Sequence, residues 1–400
     1  MINIFQPSVG EEEAAAVAEV FAGNWLGHGP RTRVFETEFA GHLGVDPETV
    51  VFVNSGTAGL FLAVLALRLG RGDDVVLPSI SFVGAANAVV TAGARPVFCD
   101  VDPVTLNPSA VDVERALTPR TAAVVLLHYG GLPGDVEAIA RLCRERGVAL
   151  VEDAACAVAS SVGGRACGTF GDLAMWSFDA MKILVTGDGG MVRARDPEHA
   201  AAVRRLAYHG LARASGFSSS TSSPAAVAAQ RWWEIDVREP GQRLVGNDVT
   251  AAVGSVQLRR LPGFVARRRE IARTYDALLG GVDGIGLPPA APADHVSSHY
   301  FYWVRLHPRI RDDVAADLLA QGVYTTFRYP PLHRVPVYGT DHPPLPGTDR
   351  AAAATLLLPL HQGLSDDDVR TVGHALVAAV RSRPASPLRA APSTPPGGAS

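Results

Sequence analysis

The sequence predicts an α/β protein with a mainly parallel sheet, because short apolar runs alternate with helix-like segments through its first half. Such runs are typical of strands buried on both faces, and the segments between them are long enough to be crossover helices. A length of 400 residues also exceeds what one compact core usually holds. We therefore predict a large domain at 1–260 that includes an N-terminal segment, a smaller α+β domain at 261–382, and a tail at 383–400.

The first elements are predicted from local patterns. Helices are expected at 11–22, which has glutamates in its first turn where they suit the helix dipole, and at 31–43. An apolar helix at 58–69 follows the break Asn54-Ser55-Gly56-Thr57. Apolar and β-branched runs predict the strands of the sheet, at 50–53, 75–78, 95–100, 122–128, 149–153, 173–178 and 190–194.

The second half of the chain is predicted to be richer in helix. One alternating strand is expected at 299–306, and helices are expected at 249–261, 264–279, 312–321 and 366–380. The serine- and alanine-rich stretch 214–228 predicts a mobile surface loop. Trp232-Trp233 after it is expected to pack in a core or interface, or to form a lid over a site. The tail from about residue 383 is rich in proline, alanine, serine and glycine, which predicts disorder.

The composition excludes several classes of protein. With 47% hydrophobic residues, 19% charged residues and a net charge of −4, the chain resembles ordinary soluble proteins and has no basic footprint for nucleic acid. No apolar run reaches the length of a membrane span, and no signal-peptide pattern is present, so we expect a cytoplasmic protein that does not bind membranes. The four cysteines have no Cys-x-x-Cys spacing, which indicates reduced thiols and neither a zinc site nor a disulfide framework.

One basic residue differs from all the others. Lys182 is the only lysine among the 36 lysine and arginine residues of the chain. Arginine stays protonated and forms no imine, whereas a partly desolvated lysine amine can lose its proton and attack a carbonyl. Lys182 lies in an apolar stretch that ends in Gly187-Asp188-Gly189-Gly190, so covalent amine chemistry is favoured over a surface lysine that survived by chance.

Two further features suit a flat aromatic cofactor. Glu152-Asp153 ends a buried strand, and ligands of open α/β sheets bind beyond the carboxyl ends of strands. A carboxylate there would keep a pyridine nitrogen protonated; the alternative is a cap or a salt bridge. Phe82 follows the strand at 75–78, where it would stack on a ring or belong to the core.

Two other features suit a phosphate group. Ser55-Gly56-Thr57 lies between a strand and a helix, where free N–H groups bind phosphate, although the same residues also make an ordinary helix cap. Ser177, at the end of another strand, would be a second phosphate donor or a structural serine. Taken with Lys182, the ordered set predicts a site for pyridoxal 5′-phosphate (PLP), without a metal.

The series of motifs resembles the DegT/DnrJ/EryC1/StrS family of PLP-dependent nucleotide-sugar aminotransferases, from about residue 4 to residue 379. The resemblance implies a fold-type-I large domain like that of aspartate aminotransferase, and a homodimer with active sites at the subunit interface. It is carried by the motifs NSGTAGL (54–60), SFVGAANAVV (81–90), HYGGLPGD (128–135), VEDAACA (151–157), SFDAMKILVTGDGGMV (177–192), NDVTAAVGSVQL (247–258) and LPLH (358–361).

The resemblance also implies a role for each candidate residue. Lys182 would hold PLP through an imine and carry the transferred proton, and Asp153 would meet the pyridine nitrogen. The ring stacker and the phosphate ligands would be Phe82, Gly56, Thr57 and Ser177.

Two positions depart from the family pattern. Cys156 stands where the family commonly has glutamine near the ring face, and a thiol is a weaker hydrogen-bond partner. Arg243 stands where an asparagine commonly reaches the phosphate in the partner subunit. We expect Arg243 to make that contact as a charge-assisted pair.

The resemblance implies an amino-sugar biosynthetic aminotransferase. Lysine at 182, where dehydratases of the family have histidine, favours amino transfer, with L-glutamate as donor. The motifs look most like members that aminate C4 of dTDP-4-keto-6-deoxyglucose; amination at C3, a cyclitol ketone, or a non-catalytic regulatory role are the alternatives. Trp25 and His333 are candidates for the sugar-nucleotide pocket, or else are packing residues.

Overall fold

The computed structural model of the chain describes residues 1–212 and 236–383. Within these residues a mainly parallel sheet is covered by helices, which confirms the predicted α/β class. The predicted loop at 214–228, Trp232-Trp233 and the tail beyond residue 383 lie outside the described residues.

The central sheet has seven strands in the order β3-β2-β4-β5-β8-β9-β1. Six strands run in one direction, and β9 alone is antiparallel to its neighbours β8 and β1. The carboxyl ends of the six therefore lie along one edge of the sheet. The strands are β1 (Val50–Val53), β2 (Asp74–Pro78), β3 (Arg95–Cys99), β4 (Thr121–Leu127), β5 (Ala149–Asp153), β8 (Leu173–Ser177) and β9 (Gly190–Ala194).

Helices cover both faces of this sheet. The apolar helix that follows β1 begins at Gly56, because the Ser55 hydroxyl accepts a hydrogen bond from the Ala58 N–H at 3.1 Å and caps its first turn. Eight of its eleven residues are buried against the sheet and neighbouring helices, so its N-terminus is firmly placed. The helices before and around the sheet are α1 (Glu11–Ala22), α2 (Pro30–Leu43), α3 (Gly56–Ala66), α4 (Val83–Thr91), α5 (Ala110–Ala116), α6 (Val136–Arg146) and α7 (Pro197–Leu206).

The two helices predicted at 249–261 and 264–279 are one helix, α8 (Asp248–Leu279). Pro262 lies inside it, and the prediction of a break there was wrong. Pro262 and Gly263 face solvent, where water can satisfy the carbonyl that proline leaves without a partner. Leu261 and Phe264 on either side are buried in the core, and this packing holds the helix continuous.

The C-terminal part forms its own core against the end of α8. Strands β11 (Tyr302–Arg305) and β12 (Thr355–Leu358) pair antiparallel, and β11 is shorter than the strand predicted at 299–306. The N-terminus joins this part, since the Ile2 N–H donates to the Gly322 carbonyl at 2.7 Å. The remaining elements are the short strands β6 (Ser161–Val162), β7 (Arg165–Ala166) and β10 (His295–Val296), and the helices α9 (Pro308–Ala320), α10 (Pro346–Ala354) and α11 (Asp366–Arg381).

The predicted boundary between residues 260 and 261 stays a prediction. Phe264 and Val265 pack in the core beneath the central sheet, whereas the C-terminal core takes up α8 from Ile271 onward. None of the helices in the described residues is both long and apolar enough to cross a bilayer.

Candidate active site

A cavity lies at the carboxyl edge of the central sheet, where β5 and β8 end and α3 begins. Its wall includes an amine, a carboxylate, an aromatic ring and a helix N-terminus. Six residues singled out from the sequence line it together: Gly56, Thr57, Phe82, Asp153, Ser177 and Lys182. Residues far apart in the chain thus lie close together, because the carboxyl ends of parallel strands lie along one edge of the sheet.

The start of α3 packs directly against the end of β8. A Cβ atom on Gly56 would lie 2.6 Å from the Ser177 Cβ and 3.0 Å from the Ser177 Oγ, so only glycine permits this approach. The first N–H groups of a helix have no partner within it, and Gly56 and Thr57 supply the first two of α3. Together with the hydroxyls of Thr57 and Ser177, these N–H groups make a cradle suited to a phosphate.

The neighbouring acids at the end of β5 have different roles, because successive side chains of a strand point to opposite faces. Glu152 is fully buried, 3.0 Å from the Nε2 of His128, and accepts N–H bonds from Gly168 at 2.7 Å and Gly171 at 2.6 Å. Burial alone would raise the pKa of Glu152, but these bonds outweigh it and lower that pKa. Glu152 therefore has the structural role that the sequence left open.

Asp153 points to the other face and lines the cavity. In the described part of the chain, the only hydrogen bond to its carboxylate comes from the Ala155 N–H, at 3.1 Å. Burial raises the pKa of Asp153, and the charge of Lys182 partly opposes this. A buried carboxylate with spare acceptor capacity beside a cavity suits a protonated ring nitrogen.

Lys182 lies in the turn between β8 and β9, and its side chain is partly buried. The backbone N–H of Lys182 donates to the Asp179 carbonyl at 2.9 Å, and its side-chain Nζ lies 4.8 Å from the centroid of the Tyr300 ring. Burial by itself lowers the pKa of Lys182, as the sequence suggested, but the acidic groups of Tyr300, Cys156 and Asp153 outweigh burial and raise that pKa. Without a bound carbonyl compound the amine is therefore protonated.

The loop that carries Lys182 is held by α8. The fully buried Gln257 accepts a hydrogen bond from the Val185 N–H at 3.3 Å and donates to Glu13 of α1 at 2.7 Å. Glu13 in turn pairs with Arg260. This network fixes the turn after Lys182 to two helices.

Phe82 lies at the mouth of the cavity with 43% of its surface exposed. It precedes α4, and its ring centroid is 5.7 Å from that of Tyr329, at 60° between the planes. An exposed ring at this place is available to cover one face of a flat ligand, which a core phenylalanine would not be.

Three cavity residues come from the C-terminal half and were missed from the sequence. Tyr300, Arg328 and Tyr329 line the cavity beside Lys182. The aromatic run HYFYW (299–303) and the segment FRYPP (327–331) were the available signals. In neither segment does the spacing of the aromatic and basic residues distinguish residues of an active site from residues of a hydrophobic core.

The four other candidate residues are not on the cavity wall. Cys156 is buried next to it, where burial raises the pKa of its thiol to about 11 and the charge of Lys182 opposes the rise. Arg243 and Trp25 line a second cavity of about 480 Å³, in which the Arg243 Cζ lies 5.1 Å from the centroid of the Tyr208 ring. His333 faces Ser79, whose Oγ is 2.7 Å from its Nδ1.

The residues present fit PLP. The cavity offers an amine for its aldehyde, a buried carboxylate for its ring nitrogen, an exposed aromatic ring for its face, and a glycine-dependent cradle for its phosphate. No group of three or more metal-binding side chains occurs in the residues that the structure covers.

Comparison with known proteins agrees with this geometry. The model of the DegT/DnrJ/EryC1/StrS aminotransferase family matches residues 7–377. A relative from Saccharopolyspora spinosa, described as dTDP-4-dehydro-2,3,6-trideoxy-D-glucose 4-aminotransferase, is 65% identical over 97% of this chain and all of its own. The spore coat polysaccharide biosynthesis protein SpsC of Bacillus subtilis is 35% identical, over 92% of this chain and 95% of its own. The crystal structure of the aminotransferase TlmJ from Streptoalloteichus hindustanus is 60% identical, with a TM-score of 0.90, and the match covers 96% of this chain and 99% of TlmJ.

Proposed function

The chain belongs to the DegT/DnrJ/EryC1/StrS family of PLP-dependent aminotransferases, and we propose that it aminates C4 of a dTDP-linked 4-keto sugar with L-glutamate as donor. The observation that carries the chemistry is that the only lysine and the buried Asp153 line one cavity. The sugar is supported by the relative that is 65% identical over nearly the whole chain. That relative acts on a 2,3,6-trideoxy sugar, so this sugar joins dTDP-4-keto-6-deoxyglucose as a candidate.

PLP supplies an aldehyde that binds amines covalently and a ring that withdraws electrons from them. Lys182 would hold the cofactor, and once released its amine would take the proton from the donor's α-carbon and deliver it to the C4′ carbon of the cofactor. The neighbouring acidic groups raise the pKa of Lys182, which favours the protonated amine once the proton has been taken up. Asp153 holds the ring nitrogen protonated.

The rest of the wall binds and orients the cofactor. Gly56, Thr57 and Ser177 bind its phosphate, and Phe82 covers one face of its ring. Cys156 is buried beside the wall and would offer the cofactor a small, protonated thiol, because burial raises its pKa. Together these contacts exclude water and direct the ring toward Lys182.

We propose a cytoplasmic homodimer in which Arg243 of one subunit reaches the phosphate bound by its partner. Thr57 at the phosphate cradle is exposed, so the cradle is open to a group from outside the subunit. Arg243 and Trp25 line their own cavity away from Lys182, where they are available to a second copy. Arg243→Ala should weaken PLP binding in the dimer; unchanged affinity would remove this assignment.

The substrate is tested with a panel of ketones and L-glutamate, with the products identified by mass spectrometry and NMR. The panel contains both dTDP-4-keto sugars, a dTDP-3-keto sugar and a cyclitol ketone. The proposal predicts a C4 amine from a dTDP-4-keto sugar and little product from the others. Preferential turnover of the 3-keto sugar or the cyclitol would replace the proposed substrate and leave the aminotransferase chemistry in place.

A further inference from the structure

Arg328 is a cation on the wall of the Lys182 cavity without an acidic partner in the described ranges 1–212 and 236–383. Its guanidinium contacts an aromatic face, with Cζ 5.0 Å from the centroid of the Phe5 ring, and a thioether, with Nη2 3.7 Å from the sulfur of Met181. Neither group uses the donor capacity of the guanidinium well. Five N–H donors that border a cavity are suited to an incoming anion.

The position of Arg328 is defined by the residues around it. Its own carbonyl accepts a hydrogen bond from the buried Tyr129 hydroxyl, which fixes the backbone. Phe5 stacks on Tyr300, with ring centroids 5.7 Å apart and 15° between the planes, and Tyr300 is the ring beside the Lys182 amine. One aromatic layer thus connects the cation to the reacting nitrogen.

We propose that Arg328 binds a carboxylate of the amino-acid donor and thereby orients the donor in the cavity. This inference rests on the proposed function, since it presupposes that an amino acid gives up its amine at Lys182. The two oxygens of a carboxylate match the fork of a guanidinium, so the pair fixes orientation as well as charge.

The charges in the cavity favour a carboxylate over the diphosphate of the sugar nucleotide. Asp179 and Asp188 line the same cavity as Arg328. L-glutamate carries two carboxylates and one ammonium group, so one guanidinium balances its net negative charge, whereas a diphosphate would bring an uncompensated second negative charge toward these aspartates. The diphosphate is therefore expected to bind elsewhere.

The test separates the two halves of the reaction. PLP-loaded wild type, Arg328→Ala and Arg328→Lys are titrated with L-glutamate in the absence of any keto sugar, and the change in cofactor absorbance is followed. We expect Arg328→Ala to raise the apparent Kd for L-glutamate by about 30-fold, the loss of one charge-assisted pair, and Arg328→Lys to raise it less because lysine lacks the fork. Calorimetric binding of glutarate, which has the carboxylates but no amine, should weaken in parallel.

Arg370→Ala is the matched control. Arg370 pairs with Asp367 on the surface at 2.7 Å and should leave the titration unchanged. Thermal unfolding shows whether each variant is folded. If Arg328→Ala is not folded, the proposal is tested by the L-glutamate titration of Arg328→Lys against wild type.

Two results would overturn the proposal. One is an unchanged L-glutamate titration in the variants. The other is a raised KM for the keto-sugar nucleotide with normal glutamate binding, which would assign Arg328 to the diphosphate. Failure of this proposal can be distinguished from failure of the proposed sugar substrate, because the L-glutamate titration is measured even if no keto sugar is turned over.

Discussion

Replacement of Gly56 by alanine tests the phosphate cradle most sharply. The new Cβ would lie 2.6 Å from the Ser177 Cβ, whereas carbon atoms in contact are about 3.5–4.0 Å apart. The start of α3 and the end of β8 must therefore separate by about 1 Å, although β8 lies inside the central sheet and α3 packs closely against it. This separation moves the N–H groups of α3 away from the Ser177 hydroxyl.

The expected cost falls on cofactor binding. Loss of one or two hydrogen bonds to a charged phosphate costs about 3 kcal/mol, which is on the order of 100-fold in the Kd for PLP. Overpacking of the same contact costs about 1–3 kcal/mol of folding stability. Both quantities should therefore change, with the larger effect on PLP.

The assay is a fluorescence titration of the cofactor-free protein with PLP, accompanied by urea unfolding. Gly263→Ala is the matched control, because Gly263 is exposed within α8 and an added Cβ there meets no atom within 4 Å. It should leave PLP binding unchanged and stabilise the helix by about 1 kcal/mol. If Gly56→Ala binds PLP as tightly as the wild type, the phosphate does not bind between α3 and β8.

Two further predictions concern buried titratable groups. Asp153→Asn should keep the fold but lower kcat by at least about 100-fold in steady-state kinetics, because Asp153 serves the cofactor. Glu152→Gln should instead lower the free energy of unfolding in urea by about 3 kcal/mol, because Glu152 is structural. If the kinetic effect fell on Glu152 and the stability effect on Asp153, the two assignments would be wrong. His361 is buried near Arg268, and burial, with the charge of Arg268, lowers its pKa to about 4. Because the unfolded chain then binds more protons than the folded one, stability should fall as the pH drops from about 6.5 to 4, by up to about 3 kcal/mol. His361→Gln should remove that part of the pH dependence, and an unchanged pH profile of unfolding in this variant would contradict the assignment.

The sequence predicted the central sheet and one wall of the site well, for a physical reason. Strands of a parallel sheet are short, apolar and bounded by breaks, so their ends can be located, and the carboxyl ends meet at one edge. Asp153 and Ser177 end two of these strands, and Gly56 begins the helix after a third. Their proximity follows from topology alone.

The opposite wall depends on how the C-terminal part packs. Tyr300 and Arg328 lie in irregular segments more than 100 residues after Lys182, and no local pattern reports which cavity they approach. His333 was a candidate for the sugar-nucleotide pocket, with packing as the alternative, and its Nδ1 lies 2.7 Å from the Oγ of Ser79. Arg243 and Trp25 line a cavity of their own, and the contact predicted for Arg243 requires a second subunit.

Local preferences were also outweighed by packing. Pro262-Gly263 normally ends a helix, but buried neighbours on both sides hold α8 together. For Lys182, the sequence suggested a pKa lowered by burial. The acidic groups that surround it come from two separate segments, at 153–156 and at Tyr300, and they reverse the direction of the shift.

The account depends on covalent attachment of PLP at one nitrogen. Borohydride reduction of the PLP-loaded protein, followed by peptide mapping with mass spectrometry, measures this directly, because a chain with a single lysine has only its N-terminus as a competing amine. We predict a pyridoxyl group on the peptide that contains Lys182, and neither label nor turnover in Lys182→Ala. A label on the N-terminal amine alone, or appreciable amino transfer by Lys182→Ala, would contradict the account.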